Sequence, residues 1–412
     1  MNFSFLHCAD IHLGSPMSGL ALKDGAVAEK FAAACRESFA DLVTRAIEAK
    51  VAFVLIAGDL YDGDWQDNGI GLFFNRQAAR LARADIPIYL IKGNHDAESV
   101  VTRTIPLPDN VIQFSTRRAE TRELTALKVA IHGRSFPDRA VTENWAVDYP
   151  APRDGWLNIG MLHTSCEGNA RHATYAPCSV AELVSRGYDY WALGHIHAYQ
   201  VLHRDPWIVY PGNTQGRSVR ETGEKGAVFV DVVDGRIAAA RRVIVDRARW
   251  VEAVIDVSSA ATTAEALAKV GADMRPLLDA ARGRTVAARV RLVGETALDH
   301  ALRAGRGQLF DDILALAQQA HDDAWLEKLS LETIFPARAG STHDLSSIDL
   351  DAMMADCLDD PGLREKALEA VGQIAARLPG EAMRDEKPLA EDLDALIAEA
   401  RAIVLARAER QS

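Results

Sequence analysis

Seven polar side chains of the kinds that hold transition metals sit at the ends of apolar runs: Asp10, His12, Asp59, Asn94, His163, His195 and His197. The runs before them, FSFLHC (3–8), VAFVLIA (51–57), IPIYLI (86–91), LNIGMLH (157–163) and YDYWALG (188–194), read as buried strands. Carboxyl ends of strands are where α/β sheets build their sites. The donors are carboxylate, carboxamide and imidazole without thiolate, which suits manganese, iron, zinc or cobalt better than calcium or a cysteine-based zinc site. Such a set serves two divalent ions if one carboxylate bridges them, and Asp59, between the two groups in the chain, is the expected bridge. Ions about 3.5 to 4 Å apart generate a hydroxide nucleophile at neutral pH and offset the charge of a phosphoryl group. The expected reaction is hydrolysis of a phosphate ester.

His95 follows Asn94 directly and so is expected beside the metals, as a proton donor to the leaving oxygen worth roughly 10²- to 10⁴-fold in rate. Either Asp62 or Asp96 could orient its ring, and the sequence does not choose between them. The i, i+2 spacing of Asp10 with His12, and of His195 with His197, would point each pair to one side of an extended backbone. Glycines at 58, 93 and 194 allow sharp turns and close approach.

The elements that must position these residues alternate as β-α-β-α-β. A helix over about 29–50 shows one apolar face in Phe31, Cys35, Phe39, Leu42, Val43, Ala46 and Ile47. Another lies near 70–84, so residues 1–91 read as a parallel, covered sheet. Strand-like runs at 128–133, 157–163, 188–194, 207–211 and 226–235 would form a second sheet packed on the first, with a helix near 179–186. A smaller α+β domain follows: WVEAVIDV, a helix near 263–281, TVAARVRLV (285–293) and more helix after Thr296. From about Ser341 helical patterns at 349–358, 361–378 and 388–408 are separated by prolines. The expected domains are 1–245, 246–340 and 341–412.

Composition fits an ordinary soluble globular protein, at 48% hydrophobic and 25% charged residues. The net charge of −12 argues against a globally basic surface that coats nucleic acid. Residues 341–412 alone hold 16 acids against 8 bases, an acidic helical appendage. The odd cysteine set, Cys8, Cys35, Cys166, Cys178 and Cys357, has no C-x-x-C spacing and suggests neither a disulfide framework nor a zinc knuckle. With no export signal or membrane-length apolar stretch, a cytoplasmic location is expected.

Taken in order, Asp10-Ile11-His12, Gly58-Asp59 with Asp62, Gly93-Asn94-His95-Asp96, His163 and Gly194-His195-Ile196-His197 resemble the signature of the calcineurin-like metallophosphoesterases. Each element is weak alone; together they are specific. The opening FSFLHCADIHLGSP, GDLYD (58–62) and YPGNTQGRS (210–218) resemble the DNA-repair exonuclease branch, the SbcD/YhaO-like bacterial proteins, over residues 1 to about 245. The resemblance implies a two-sheet α/β/β/α sandwich with a small α+β capping domain that helps to select DNA. A helical C-terminal extension would then bind an SbcC-like ATPase.

It also implies that Asp10, His12, Asp59 and His197 hold one ion, that Asp59, Asn94, His163 and His195 hold the other, and that His95 is the catalytic histidine. Manganese is the usual ion. Asp62 stands where archaeal and eukaryotic members carry a second histidine. The expected function is metal-dependent hydrolysis of DNA phosphodiesters. The alternative is a small-molecule phosphodiesterase or phosphatase, favoured by the charge of −12. A third reading is an accessory subunit that binds an ATPase and DNA, against which the complete ligand set speaks. DNA, that ATPase and a second copy of the chain are the candidate partners; a membrane is not.

His7, His132, His172 and His203 read as structural or solvated. Arg236, Arg241, Arg242, Arg247 and Arg249 read as a solvated strand face. Leu389, Leu393, Leu396, Ile397, Ala400 and Ile403 form a stripe at helical spacing.

Overall fold

A computed structural model describes residues 1–17, 20, 24–62, 68–98, 105–166, 175–336 and 360–377, with 393, 394, 396, 397, 400, 401 and 404. The helical pattern over 349–358, together with Leu389, Ile403, Cys357 and His172, lies outside these residues. The chain forms two compact units. One comprises Met1–Pro16, Lys30–Arg217 and Gly223–Ala248; the other comprises Met17–Glu29, Ser218–Thr222 and Arg249–Ser412.

The first unit begins with β1 (Phe3–Cys8), α1 (Gly25–Glu48), β2 (Val54–Ala57), α2 (Asn68–Ala82), β3 (Ile88–Ile91), α3 (Asn94–Glu98) and β4 (Val111–Gln113). Strands β1 to β4 pair in parallel, with Leu6 opposite Val54, Val54 opposite Ile88 and Ile88 opposite Val111, so their carboxyl ends share one edge. Strands β2 and β3 are buried throughout, as unbroken apolar runs require in a sheet covered on both faces. One face, with Leu6, Ile56, Ile88 and Leu90, packs on Phe39, Leu42, Phe74 and Leu81 of the helices.

The other face, with Phe5, Phe53, Leu55 and Ile91, packs on a second sheet through Ile131, Ile159, Met161 and Tyr190. That sheet contains β5 (Glu120–Leu124), β6 (Val129–Gly133), β7 (Leu157–His163), β8 (Tyr190–Gly194), β9 (Gln200–Arg204) and β10 (Trp207–Tyr210), in the order β5-β6-β7-β8-β10-β9. Its outer face carries Leu162, Trp191 and Leu193, which pack on Trp145, Tyr149 and Leu183 of α4 (Val180–Ser185). The result is the expected two-sheet sandwich with helices outside.

One strand departs from the sequence reading. The run at 226–235 forms β11 (Gly226–Val233), which joins the first sheet antiparallel to β1 and turns into β12 (Arg236–Ile244). Asp234 and Gly235 make this hairpin with φ of 49° and 76°, as two-residue hairpin turns demand. Periodicity identifies a strand but carries no information about its neighbour.

The second unit has a three-stranded sheet, β13 (Ala248–Asp256), β14 (Thr285–Glu295) and β15 (Ala324–Ile334), with α5 (Thr263–Asp279), α6 (Asp299–Ala304) and α7 (Arg306–Ala320). Ile255, Val290, Leu292 and Leu329 pack against Val270, Met274 and Ile313. Strand β15 falls where the sequence reading places only helix: its AWLEKLSLETI run is rich in Leu, Glu and Lys, good helix formers, and pairing with β14 overrides that preference. Beyond it α8 (Pro361–Ala375) starts at Asp360, whose carboxylate accepts from the Gly362 amide. Among the described residues no helix is long and apolar enough to cross a membrane.

The residues read as structural behave so where described. His132 bonds Thr121 and Asn158 and stacks on Tyr188, and His203 donates to the Pro206 carbonyl. Arg241 pairs with Asp231 and Arg247 with Asp41, but Arg249 is buried and donates to the Ala280 carbonyl, so it is not part of a solvated face.

His7 is fully buried between the sheets, with Nε2 3.1 Å from the Leu193 carbonyl and Nδ1 3.0 Å from the Tyr190 hydroxyl. A carbonyl only accepts, so Nε2 carries the proton and Nδ1 accepts from Tyr190. Burial pushes its pKa down to about 3, with the Leu193 bond opposing. The unfolded chain therefore binds a proton below about pH 6.5 that the folded chain refuses, and stability falls as pH drops from there toward 3. Urea unfolding at pH 7 and pH 5 should show that His7→Gln removes about 2 kcal/mol of the acid-induced loss; an identical loss in both proteins would exclude His7 as its source.

Candidate metal centre

The carboxyl ends of β1, β2, β3, β7 and β8 meet at one edge of the sandwich and bring the sequence-predicted residues together. Asp10 and His12 lie in the loop after β1, which runs beside the loop after β2: the amides of Asp10, His12 and Leu13 donate to the carbonyls of Gly58, Asp59 and Leu60. Asp59 follows β2, Asn94 opens α3, His163 ends β7 and His195 follows β8. Asp10, His12, Asp59, Asn94 and His163 are all buried.

Asp59 lies between the two groups, its Oδ2 3.5 Å from His163 Nε2 and 3.7 Å from His12 Nε2. His12 Nε2 is 3.2 Å from His197 Nε2, His197 Nε2 is 3.9 Å from Asp10 Oδ1, and His163 Nε2 is 3.0 Å from Asn94 Oδ1. Donor atoms of Asp10, His12 and His197, and likewise those of Asp10, Asp59 and His163, lie within 4.8 Å of one another. Lone pairs aimed at each other in a buried space repel unless a proton or cation lies between them. A divalent cation with nitrogen and oxygen ligands meets that requirement, so the donor set fits a dinuclear centre.

The electrostatics show the same demand for positive charge. Burial opposes the charge on His163, but Asp59 beside it outweighs burial and holds the imidazole up at about 9. Burial likewise works against the Asp59 anion, and His163, His12 and His95 reverse it, keeping that carboxyl well below its ordinary range. Burial pushes Asp10 up to about 6, with the Asp59 charge adding to it and His197 and His163 opposing. Backbone amides hold both anions: His195 N–H lies 3.0 Å from each Asp10 oxygen, and His95 N–H 2.9 Å from Asp59 Oδ1.

The backbone corrects one expectation. Asp10, His12, Asp59 and His195 are not extended; their φ angles are 50°, 48°, 51° and 98°, in a region that side chains rarely adopt. The strands have ended, and the backbone turns at once; the amides of Asp10, His12 and His195 each reach a neighbouring loop as it does so. Conformations of this kind cost about 1 to 3 kcal/mol each and gather at functional sites.

The structure also separates the two carboxylates beside His95. Asp62 Oδ1 is 2.8 Å from His95 Nδ1, whereas Asp96 turns away and accepts from the amides of Leu60, Tyr61 and Gly93. Asp62 is thus the one that touches the ring. Burial disfavours the protonated ring, yet Asp62 and Asp59 raise the pKa of His95. Sequence reasoning gave no role to Arg217, whose Nη1 lies 3.2 Å from Asp62 Oδ2. The motif YPGNTQGRS contained the signal, since an arginine closes a segment otherwise built of turn residues and amides.

Residues 3–199 match the family model described as calcineurin-like phosphoesterase, and residues 250–334 match that of the middle domain of metallophosphoesterase YhaO. An uncharacterized metallophosphoesterase YhaO of Bacillus subtilis is 32% identical over 381 residues, covering 89% of this chain and 92% of that protein. A DNA double-strand break repair protein Mre11 of Methanopyrus kandleri is 25% identical over 244 residues, 54% of this chain and 51% of that one, about half the length of that relative. Among solved structures, a dimetal phosphatase from Danio rerio is similar at 11% identity and a TM-score of 0.36, over 59% of this chain and 98% of that one. The chain belongs to the calcineurin-like metallophosphoesterase family. Membership makes it a phosphoester hydrolase with a site for divalent metal.

Close packing under the site is testable at Gly194, where a Cβ would overlap the Ala57 carbonyl oxygen and crowd His163 Nδ1. Gly194→Ala should lower stability by about 2 to 3 kcal/mol, as overpacking does, and weaken Mn²⁺ binding in calorimetry. Gly307→Ala, whose added methyl meets nothing, should do neither.

Proposed function

We propose that the chain is a metal-dependent phosphodiesterase of DNA, an exonuclease-like hydrolase with His95 as its proton donor. The observation that carries this reading is Asp59 Oδ2 between His12 and His163, beside His95 with its Nδ1 held by Asp62. Asp10, His12, Asp59 and His197 would hold one ion; Asp59, Asn94, His163 and His195 would hold the other. Manganese is the ion favoured, and iron, zinc or cobalt would suit the same donors. When bound, two such ions offset phosphoryl charge and lower the pKa of water to near neutrality.

The protein's own residues do the rest. His95 has 30% of its side chain exposed and so is open to a substrate, against 20% for His197 and none for His12 and His163. Its Nε2 proton passes to the leaving oxygen while Asp62 holds Nδ1. Asp96 fixes the loops after β2 and β3 to each other through its backbone contacts.

DNA as substrate is supported by the similarity to a DNA double-strand break repair protein. Residues 246–340 would help to select DNA, residues 341–412 would dock an SbcC-like ATPase, and the site of action would be the cytoplasm. The second reading, a small-molecule phosphodiesterase, is favoured by the net charge of −12, which a polyanion must overcome locally.

Metal-stripped protein assayed on end-labelled single- and double-stranded DNA should shorten it only when Mn²⁺ is added. Asp59→Asn should abolish the reaction, and His95→Ala should lower kcat by roughly 10²- to 10⁴-fold while leaving ion binding intact. Full activity in either variant would refute the assignment; cleavage of a chromogenic diester with DNA untouched would select the second reading.

A further inference from the structure

We propose that Arg217 is a positioning residue: it fixes the Asp62 carboxylate so that His95 offers one defined ring nitrogen to the ester. The proposal rests on the reading of His95 as the proton donor.

The two oxygens of Asp62 face different groups, with His12 Nδ1 also 3.9 Å from Oδ1. Oδ1 lies 2.8 Å from His95 Nδ1, and Oδ2 lies 3.2 Å from Arg217 Nη1. A carboxylate bonded through one oxygen can swing about its side-chain torsions; one anchored through both cannot. The guanidinium is suited to this because its donors form a rigid planar fork. Its second arm, Nη2, comes within 3.5 Å of His197 Nδ1, which sets the group between Asp62 and His197 along the rim of the site.

The anchor is itself held fast. Gly212 has φ of 74°, and a Cβ there would come within 3.0 Å of the His197 carbonyl and the Tyr199 amide, so the segment passes tight against the loop between β8 and β9 that carries His197. Asn213 accepts from the Gly226 amide and donates from its side chain to the Gln215 carbonyl. Gln215 is buried with its carboxamide engaged at both ends: Oε1 accepts from the amides of Arg247 and Ala248, and Nε2 donates to the Ala248 carbonyl. A buried carboxamide engaged at both ends, as that of Gln215 is, rigidifies a loop. Arg217 therefore leaves a fixed frame, unlike an arginine on a solvent-exposed turn.

The chemical consequence follows from donor rules. A carboxylate only accepts, so Asp62 places a proton on His95 Nδ1 and leaves Nε2 as the nitrogen that meets the ester. In hydrolysis a water oxygen bonds to phosphorus and releases a proton. The bond from phosphorus to the leaving oxygen breaks, its electron pair stays on that oxygen, and the oxygen takes the Nε2 proton of the doubly protonated His95 ring, which is left as the neutral Nδ1–H form, while the proton released by water passes to solvent. A deoxyribose alkoxide needs that proton; a p-nitrophenolate does not.

The test uses the full chain with Mn²⁺, on oligodeoxynucleotides and on thymidine 5′-(p-nitrophenyl) phosphate. Arg217→Ala should lower kcat on DNA by roughly 10- to 100-fold, a fraction of the whole acid contribution, with KM little changed and a loss at least about tenfold smaller on the activated ester. Arg217→Lys should restore part of the rate. In a His95→Ala background the Arg217 change should cost nothing more, because residues acting as one unit are not additive. In metal-free, ¹⁵N-histidine-labelled protein at a pH where the ring is neutral, long-range NMR spectra should show His95 as the Nδ1–H tautomer, the form left after it gives up its Nε2 proton, and a mixture in Arg217→Ala.

Equal losses on both esters with a raised KM would overturn the proposal in favour of direct phosphate binding, as would full additivity or an unchanged tautomer. If wild-type protein turns over neither ester while the tautomer still depends on Arg217, it is the phosphodiesterase reading that fails.

Discussion

Two buried carboxylates, Asp10 and Asp59, face a cluster of imidazoles at the mouth of the sandwich, and most of the surrounding structure answers the cost of putting them there. An isolated ion in a protein interior is penalised by several kcal/mol even after relaxation. Hydrogen bonds from the His195 and His95 amides meet part of that cost, and neighbouring histidines meet more. The remainder calls for cations, which is why a site with this much negative charge and this many lone pairs is a metal site before it is anything else. The left-handed backbone at Asp10, His12, Asp59 and His195 belongs to the same account. It is tolerable because the parallel strands beneath are buried on both faces and set each residue's starting point.

The proposed ligands come from both sheets, so their convergence lasts only while the sheets hold their spacing. Asp10, His12, Asp59 and Asn94 follow strands of the first sheet; His163 and His195 end or follow strands of the second. Two cross-sheet hydrogen bonds lie under the cluster, from His163 Nδ1 to the Ala57 carbonyl and from His7 Nε2 to the Leu193 carbonyl. The first fixes which nitrogen of His163 carries a proton, and so leaves Nε2 toward Asp59. Gly58 and Gly194 let the two backbones approach closely there, since any side chain at either would run into His163. Packing, tautomer and ligand direction are one arrangement seen at three scales.

This explains what the sequence disclosed. Residues whose convergence follows from type and from position at a strand end were legible: Asp10, His12, Asp59, Asn94, His163, His195 and His197 could be named from apolar runs and the letters after them. The boundaries of β7 were legible to the residue, because LNIGMLH is a largely apolar, fully buried run that ends in the histidine proposed as a ligand. What was not legible depends on partners distant in the chain. The placement of β11 beside β1 is a matter of edge pairing; β15 is a strand because β14 offers a ladder. The extended-backbone argument for Asp10 and His12 reached the right convergence by the wrong conformation, since periodicity describes strands and these residues lie just past one. Arg217 was hidden because an arginine near a glycine-rich turn is solvated far more often than it is fixed.

Asp62 and Asp96 show how far the environment, not residue type, divides labour. Both are acidic, both lie within a few positions of a proposed ligand, and both were candidates for the same contact. Asp96 accepts from the backbone amides of Leu60, Tyr61 and Gly93, and burial together with the Asp59 charge pushes its pKa up to about 6. It is a strut between two loops. Asp62 meets His95, His12 and Arg217, whose charges and hydrogen bonds overcome its burial and keep it ionised. A carboxylate that must stay anionic beside a ring whose proton is to move needs a cation that never titrates, and among the basic side chains only arginine has that property at every pH the protein would meet. Arg217, 3.2 Å from Asp62 Oδ2, supplies such a cation beside the proposed proton donor.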